Sequence, residues 1–380
     1  MKYFVWLNEC MGAGNPRSVK AVEHFGGPDK IYNATPAKRS ASGQFSKSDL
    51  EKMSKTPLSI AEKIINDCRE NRIDIITLFD KGYPQNLSVI ENPPLVLYVK
   101  GKLPDFDLLP SITVVGPRKV SDFGKKAAYS LSFRLARAGF IVVSGGALGC
   151  DTCAHAGTLK ADGIGVLVMG CGILANYLQE NKKLREKVAE KGCLVSEYSP
   201  FTPAKKFNFP LRNRIMSALT LGTVVIEAAE KSGSLITARL ANEQGRDVFV
   251  IPGSPQKSEY KGSNALLRDG AKAVLDLSDI FNEYIPRFPD KINIERAYSM
   301  PLADNNKGKN DSGKVFKKNL NEGLSKNAQI VYNHIDKLKF FPEEILDTGL
   351  TPQQLLAALT ELEMEFYIKA LPGGMYELCR

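Results

Sequence analysis

Short apolar runs alternate with longer amphipathic stretches through the middle of the chain. Most of the intervening stretches are long enough for crossover helices, as over Phe123–Ala138, Leu178–Lys191 and Leu235–Gln244. Apolar runs without polar interruption, such as Val166–Val168, are typical of strands buried on both faces. The pattern predicts an α/β domain with a Rossmann-like parallel sheet over residues 81–285. Its predicted strands are Ile112–Gly116, Phe140–Gly145, Gly165–Gly170, Leu194–Tyr198, Thr223–Ala228, Asp247–Pro252 and Ala273–Leu277.

The segments on either side of this domain show different patterns. Residues 1–80 are predicted to be helical, and residues 286–323 are polar and rich in Gly, Pro and Asn, which predicts a flexible linker. Residues 324–380 predict a winged helix, in which three helices precede a β-hairpin. The predicted elements there are Ala328–Lys337, Phe341–Asp347, a helix after Thr351, Tyr367–Ala370, a Pro-Gly-Gly turn, and Met375–Leu378.

Charge is distributed unevenly along the 380 residues, whose net charge is +9. Residues 101–280 hold 24 Lys and Arg against 17 Asp and Glu, or +7, whereas residues 324–380 hold 5 against 8, or −3. A basic middle region favours a polyanionic partner. No apolar stretch approaches the ~18 residues of a membrane span, so no membrane association is expected. Seven Cys, an odd number, predict a reduced, cytoplasmic protein.

Glycine follows several of the predicted strands. The loops include Gly116, Gly145-Gly146, Gly170-Cys171-Gly172 and Lys231-Ser232-Gly233-Ser234. Ligands bind at the carboxyl ends of strands in an open parallel sheet, and the N–H groups at helix starts attract anions. The loops therefore predict one anion-binding edge, although glycine is also common in tight turns for purely structural reasons.

The segment Phe207–Thr220, FNFPLRNRIMSALT, combines aromatic and cationic side chains. Phe207 and Phe209 offer faces on which unpaired bases stack, and Arg212 and Arg214, which flank Asn213, offer charge for phosphates. The alternative is a core-facing Phe pair with arginines paired to nearby carboxylates, and the segment alone leaves both open.

Candidates for catalysis and metal binding are weaker. Cys150 and Cys153 have a metal-like spacing with His155 nearby, but no second CxxC completes a zinc site, so small thiols at a helix start and a buried or capping histidine are favoured. Glu227 ends a strand and could be catalytic or could order neighbouring Arg side chains, and the second role is favoured. No Walker-type loop is present, and we expect neither a metal nor a cofactor.

The predicted recognition helix of the winged helix, Pro352–Phe366, is acidic. It carries Glu361, Glu363 and Glu365 and no Lys or Arg. Because a helix that reads duplex DNA needs cationic side chains, we expect a protein-contact or regulatory module there.

Several motifs together resemble the DNA-processing protein A (DprA, or Smf) family. They include SGGALGCDTCAH, FPLRNRIMSALT and VVIEAAEKSGSLITARLANEQGRDVFVIPG. The resemblance implies a SAM-like helical domain, an extended Rossmann domain and a DprA-type winged helix. It also implies a non-enzymatic protein that binds single-stranded DNA in natural transformation, protects it, helps load the recombinase RecA, and dimerises through the Rossmann domain. The candidate DNA-contacting residues are Gly116, Arg118, Phe207, Phe209, Arg212, Asn213, Arg214, Lys231, Ser232 and Ser234.

The sequence departs from the family pattern at the expected DNA-binding edge. Pro117 stands where a small residue is expected, Leu148 where an Arg is expected, and Leu174 and Leu178 where Asp and Pro are expected. These changes remove one positive charge and predict weaker DNA binding or a need for the second monomer. The alternative hypothesis is a phosphoribohydrolase-like enzyme that acts on a nucleotide through Glu227, although the PGGxGTxxE loop of such enzymes is absent.

Overall fold

The computed structural model describes residues 1–298, 324–335, 339–365, 367–371 and 375–378. The chain divides into two compact units, Met1–Pro301 and Leu302–Arg380. Within the described residues, no helix combines the length and the apolar character needed to cross a bilayer.

The first unit holds fifteen α-helices and nine strands among its described residues. The helices are α1 Lys2–Met11, α2 Ser18–Phe25, α3 Pro28–Asn33, α4 Pro36–Ala41, α5 Lys47–Lys55, α6 Leu58–Glu70, α7 Gln85–Ser88, α8 Asp122–Arg137, α9 Cys150–Lys160, α10 Lys182–Lys191, α11 Asn208–Leu219, α12 Gly233–Glu243, α13 Lys261–Arg268, α14 Ser278–Tyr284 and α15 Ile294–Tyr298. The strands are β1 Ile73–Thr77, β2 Val96–Gly101, β3 Ser111–Val115, β4 Ile141–Ser144, β5 Gly165–Met169, β6 Cys193–Ser196, β7 Gly222–Val225, β8 Asp247–Val250 and β9 Lys272–Ala273.

These strands form one sheet in the order β1-β2-β6-β5-β4-β3-β7-β8-β9. The seven strands from β6 to β9 run parallel, whereas β2 pairs antiparallel with both β1 and β6. Every residue of β3, β4, β5, β6 and β7 is buried, as the uninterrupted apolar runs predicted. The predicted Rossmann-like α/β fold is confirmed.

The last predicted strand, Ala273–Leu277, is mostly wrong. Strand β9 ends at Ala273, and the next residues form a turn in which the backbone N–H groups of Leu275 and Asp276 donate to Asp279 Oδ2, at 2.7 and 2.9 Å. Such a local carboxylate cap competes with strand pairing and ends the sheet early.

Residues 1–80 are not wholly helical, because β1 belongs to the sheet. Its β-branched run pairs with β2 from Ile73 opposite Lys100 to Thr77 opposite Val96. The helices before it share a core with the sheet, in which Trp6 packs in the same buried cluster as Leu167. The predicted domain boundary at residue 80 remains a prediction.

The predicted linker, residues 286–323, begins too early. Phe288, Ile292 and Ala297 are buried in the core cluster that also holds helix α8. The backbone N–H of Asn293 donates to Ala138 O at 3.0 Å, which ties the segment down. Apolar side chains four residues apart on a chain that follows α14 explain this packing. Residues 299–323 lie outside the described residues.

The second unit is a winged helix, as predicted. Its elements are α16 Lys326–His334, β10 Lys339–Phe340, a 3₁₀ segment Pro342–Thr348, α17 Pro352–Met364, β11 Ile368–Leu371 and β12 Met375–Leu378. The strand order is β10-β12-β11, all antiparallel, so β10 is a strand that the sequence did not predict. Thr351 and Gln354 form a capping box that starts α17 where the sequence placed it. The predicted turn over Pro372–Gly374, the last residues of the predicted helix Ala328–Lys337, and Phe366 lie outside the described residues.

Candidate nucleic-acid interface

A cavity of about 350 Å³ opens at the carboxyl ends of the parallel strands. Loops after β3, β4 and β7 reach it, together with the starts of α11 and α12. It is lined by seven of the ten candidate residues, namely Gly116, Arg118, Phe209, Arg212, Asn213, Ser232 and Ser234. Phe207 and Lys231 are exposed and do not line it, and Arg214 points elsewhere.

The rim of the cavity carries a cation stacked on an aromatic ring. The guanidinium carbon of Arg118 lies 5.4 Å from the centroid of the Phe209 ring. Tyr177 packs on Phe209 with its ring centroid 5.4 Å away. A Cβ at Gly170, in the loop after β5, would lie 2.8 Å from this ring, so a glycine is needed there for Phe209 to occupy its position. The stack offers a flat surface and a positive charge side by side.

The floor of the cavity is formed by Arg212, which is 5% exposed. Its Nη1 donates to the carbonyl oxygens of Gly145, at 2.8 Å, and of Val168. A Cβ at Gly145 would lie 2.4 Å from Arg212 Nη2, which explains a glycine at this point of the second loop. Burial lowers the pKa of Arg212, and Asp151 opposes that shift. Arg212 is therefore a fixed part of the floor.

The loop after β4 uses its polar groups internally. Asp151 Oδ2 accepts from the N–H of Ala147 at 3.1 Å, and the N–H of Cys150 donates to Pro117 O at 3.2 Å. At the start of α9, the N–H of Cys150 is therefore engaged by the chain itself. The start of α12, with Ser232 and Ser234 in the lining, remains at the cavity.

Asp151 and Ala147 line the cavity, although sequence reasoning did not select them. The available signal was the motif Cys150-Asp-Thr-Cys153, which drew attention to its thiols instead. Burial raises the pKa of the Cys150 thiol, and its Sγ fills the space beside Gly116, where a Cβ would lie 2.6 Å away. No group of metal-binding side chains occurs among the described residues.

His155 is fully buried, as the sequence favoured. Burial lowers the pKa of its imidazole to about 4, which keeps the ring neutral at pH 7.

Arg214 is a buried ion-pair partner. Its Nη2 donates to Glu197 Oε1 and Oε2 at 2.8 and 2.6 Å, and the side chain of Arg214 is 8% exposed. Glu197 Oε1 also accepts from the N–H of Gly14 at 2.9 Å, which joins the N-terminal helices to the end of β6. The alternative considered for this segment, arginines paired with nearby carboxylates, therefore applies to Arg214, whereas Arg212 donates to backbone carbonyl oxygens.

Glu227 orders a loop rather than an arginine. It is fully buried, and its two oxygens accept from the backbone N–H and the hydroxyl of Ser121, at 2.7 and 2.6 Å. The Ser121 hydroxyl in turn caps α8 through the N–H of Gly124. Glu227 thus holds the loop that carries Arg118, and it does not line the cavity.

Exposed side chains extend the positive charge beyond the cavity. Lys205 lies with its Nζ 5.9 Å from the centroid of Phe207, whose side chain is 63% exposed. Lys119 and Lys231 are exposed on the loops after β3 and β7. Leu148, where the family resemblance suggests an arginine, is 39% exposed.

Comparison with known proteins agrees with this architecture. The family described as DNA recombination-mediator protein A matches residues 74–285, and the DprA winged helix domain matches residues 345–374. The DNA processing protein DprA of Bacillus subtilis is 39% identical over 221 residues, which are 58% of this chain and 74% of that protein. Protein Smf of Escherichia coli is 31% identical over 305 residues, 78% of this chain and 75% of that protein.

Two solved structures resemble the chain. The X-ray structure of DprA from Streptococcus pneumoniae has a TM-score of 0.66 and 31% identity, and covers 74% of this chain and 98% of that one. A structure reported for the single-stranded DNA binding mode of DprA from Helicobacter pylori has a TM-score of 0.52 and 28% identity, and covers 57% and 97%. Fold and cavity define a Rossmann-like protein with a winged helix and a cationic sheet edge. The chain belongs to the DNA-processing protein A (DprA/Smf) family.

Proposed function

We propose that this protein binds single-stranded DNA at the cavity and the exposed surface around it. The observation that carries the proposal is the Arg118–Phe209 stack, a charge and an aromatic face 5.4 Å apart at the carboxyl edge of the sheet. In single-stranded DNA a phosphate and an unpaired base are close neighbours. A cation binds the phosphate, and an aromatic face beside it stacks on the base. The Helicobacter relative, which is described by its single-stranded DNA binding, supports the choice of ligand.

Each candidate residue has its own role in this proposal. Arg118 pairs with a phosphate, and Phe209 stacks on a base. Ser232 and Ser234, at the start of the 11-residue helix α12, contact another phosphate, which the helix dipole favours. The remaining candidates support these contacts. Phe207 and Lys231 extend the path outside the cavity, and Arg214 holds α11 in place. Within the lining, Gly116 allows close approach, and Arg212 and Asn213 form the floor.

We further propose that the protein is a recombination mediator in natural transformation. In this role it protects incoming single strands, helps load RecA, acts as a homodimer through the Rossmann-like domain, and works in the cytoplasm. Family membership supports the role in DNA processing, and the proposal of RecA loading rests on the family resemblance. Two exposed apolar side chains on the first unit, Leu275 at 84% and Phe201 at 60%, are candidates for burial in a dimer. Light scattering of the pure protein tests the dimer, and the rate of RecA assembly on single strands tests loading.

The proposal of DNA binding is tested by titrating a labelled oligonucleotide, single- or double-stranded, at several salt concentrations. With about four phosphate contacts, log affinity for the single strand should fall against log salt with a slope near −3, from about 0.7 per contact. We expect the duplex to bind more weakly. A salt-independent affinity, or equal binding of both forms, would contradict the proposal.

We also propose that the protein has no chemistry of its own. Both carboxylate oxygens of Glu227 are engaged by Ser121, which does not favour the alternative of a nucleotide-cleaving enzyme. Incubation with AMP followed by chromatography for released base tests this. Turnover that disappears in Glu227→Gln would establish the enzyme instead.

A further inference from the structure

A second cavity lies on the other side of helix α11 from the candidate DNA site. Its volume is about 340 Å³, a size typical of small-molecule sites. Three segments surround it: Arg214 on α11, the end of α12 with Leu240 and Gln244, and the loop 89–92. We call it the rear cavity. Arg212 and Arg214 are two residues apart, which is about 200° around a helix, so one faces each cavity.

Unpaired polar atoms are concentrated at the rear cavity. Arg214 is 7% exposed, and its Nε and Nη1 have no hydrogen-bond partner within the described residues. The same is true of Arg246 Nε and Gln244 Oε1, which belong to two other lining residues. Buried polar groups are nearly always paired, so a cluster of them beside a cavity indicates a ligand that supplies the partners.

The charge balance shows which ligand fits. Glu197 already neutralises Arg214, whereas Arg246 Nη2 donates to a neutral carbonyl, Asn86 O, at 3.2 Å. Burial lowers the pKa of Arg246, and Arg287 acts in the same direction, so a bound anion would stabilise its charged form. The site thus has three unpaired N–H positions on two arginines, which call for an oxyanion.

Further lining residues limit the anion to one of low charge with an apolar part. Glu91 and Glu243 are exposed members of the lining and repel a polyanion such as a DNA strand. Val89, Ile90 and Leu240 supply apolar surface. We propose that the rear cavity binds a small monocarboxylate with an apolar body, whose carboxylate pairs with Arg214 and Arg246.

Calorimetry of the full chain with sodium benzoate as the probe tests this proposal. We expect saturable binding that weakens about 10-fold or more in Arg246→Met, since a charge-assisted hydrogen bond is lost. The matched control is Arg268→Met, which removes the same charge from exposed α13 and should bind benzoate as the wild type does. Thermal unfolding checks that both variants fold.

A second variant keeps the test valid if Arg246→Met does not fold. Leu240→Trp fills the rear cavity without changing any charge, and it should abolish benzoate binding. Inorganic phosphate and a short oligothymidine serve as further probes, and we expect neither to displace benzoate. The proposal is overturned if benzoate does not bind in the millimolar range, if Arg246→Met and Leu240→Trp bind it normally, or if phosphate or oligothymidine displaces it. Because this outcome does not depend on DNA affinity, it is separate from the proposed function.

Discussion

The sheet edge of the first unit and the winged helix of the second carry surface charges of opposite sign, and a polyanion would be attracted to the first and repelled by the second. At the sheet edge, Arg118 and Lys231 are exposed around a cavity. On the winged helix, α17 carries Glu361 and Glu363 and no Lys or Arg over its 13 residues, and Glu365 is its C-cap. Because phosphate contacts dominate nucleic-acid affinity, a fold known for DNA binding is a weaker guide to function than the charge it displays.

The acidic helix also has internal uses for its charge. The N–H and hydroxyl of Ser325 donate to Glu361 at 2.7 and 2.5 Å, which fixes the start of α16 against α17. Leu356 is 62% exposed on the same helix. An apolar side chain beside carboxylates fits a protein partner better than a phosphate backbone, in line with the sequence-based prediction of a contact module.

The largest expected effect is on stability, and it distinguishes the buried Arg214, which supports the fold, from the exposed Arg118, which is proposed to bind DNA. Arg214→Met leaves Glu197 buried without its cation and should lower the free energy of unfolding by about 3–5 kcal/mol. The matched change at the rim, Arg118→Met, should lower it by about 0.5 kcal/mol or less. Urea unfolding measures both. If Arg214→Met keeps full stability but loses DNA binding, Arg214 belongs to the interface after all.

The next effect distinguishes the two phenylalanines of the FNF segment. Phe209→Leu removes the aromatic face at the cavity and should weaken single-strand binding about 5-fold to 150-fold, the range for one stacked base. Phe207→Leu, at an exposed position outside the lining, should weaken it much less. Fluorescence anisotropy with an oligothymidine measures both affinities. A larger loss of affinity in Phe207→Leu than in Phe209→Leu would mean that the base stacks on Phe207.

The sequence predicted this edge well because of how parallel sheets are built. Buried strands leave uninterrupted apolar runs, and their carboxyl ends converge, so the residues after the strands included Gly116, Ser232 and Ser234 of the cavity lining. The aromatic and cationic segment Phe207–Thr220 supplied Phe209, Arg212 and Asn213. The helical spacing shows that Arg212 and Arg214 point in different directions. The sequence could not tell which of the two faces the cavity. It also missed β1, because the run Ile73–Thr77 becomes a strand only through its antiparallel partner β2.

A smaller effect concerns the salt dependence of binding. Arg118→Gln should remove one phosphate contact and reduce the slope of log affinity against log salt by about 0.7. Arg268→Gln removes a charge from the exposed end of α13, which does not line the cavity, and should leave the slope unchanged. Equal reductions in the two variants would mean that net charge, and not the Arg118–Phe209 stack, drives binding.

In the winged helix, Glu361 should produce a small pH dependence. Hydrogen bonds from Ser325 lower the pKa of Glu361 from 4.5. Because the folded pKa lies below the unfolded one, the stabilisation is complete above the unfolded value and is lost as pH falls through the folded value. Hydrogen exchange of α16 should therefore be faster in Glu361→Gln than in the wild type at neutral pH, and the difference should vanish once the pH falls below the folded pKa of Glu361. Glu365→Gln, which changes a carboxylate outside this contact, is the control, and an unchanged exchange rate in Glu361→Gln would contradict the capping role.

The smallest expected effect is the most direct challenge to the contrast between the two surfaces. Glu365→Lys reverses one exposed charge at the end of α17, where a cation also suits the helix dipole, so the fold should tolerate it. If the winged helix stays away from the DNA, single-strand affinity should change by about 2-fold or less, because a lone charge beyond ~10 Å is screened at ordinary salt. A tenfold gain would mean that the DNA passes close to α17. The carboxylates of α17 would then weaken DNA binding by repulsion, and the two units could no longer be assigned separate partners.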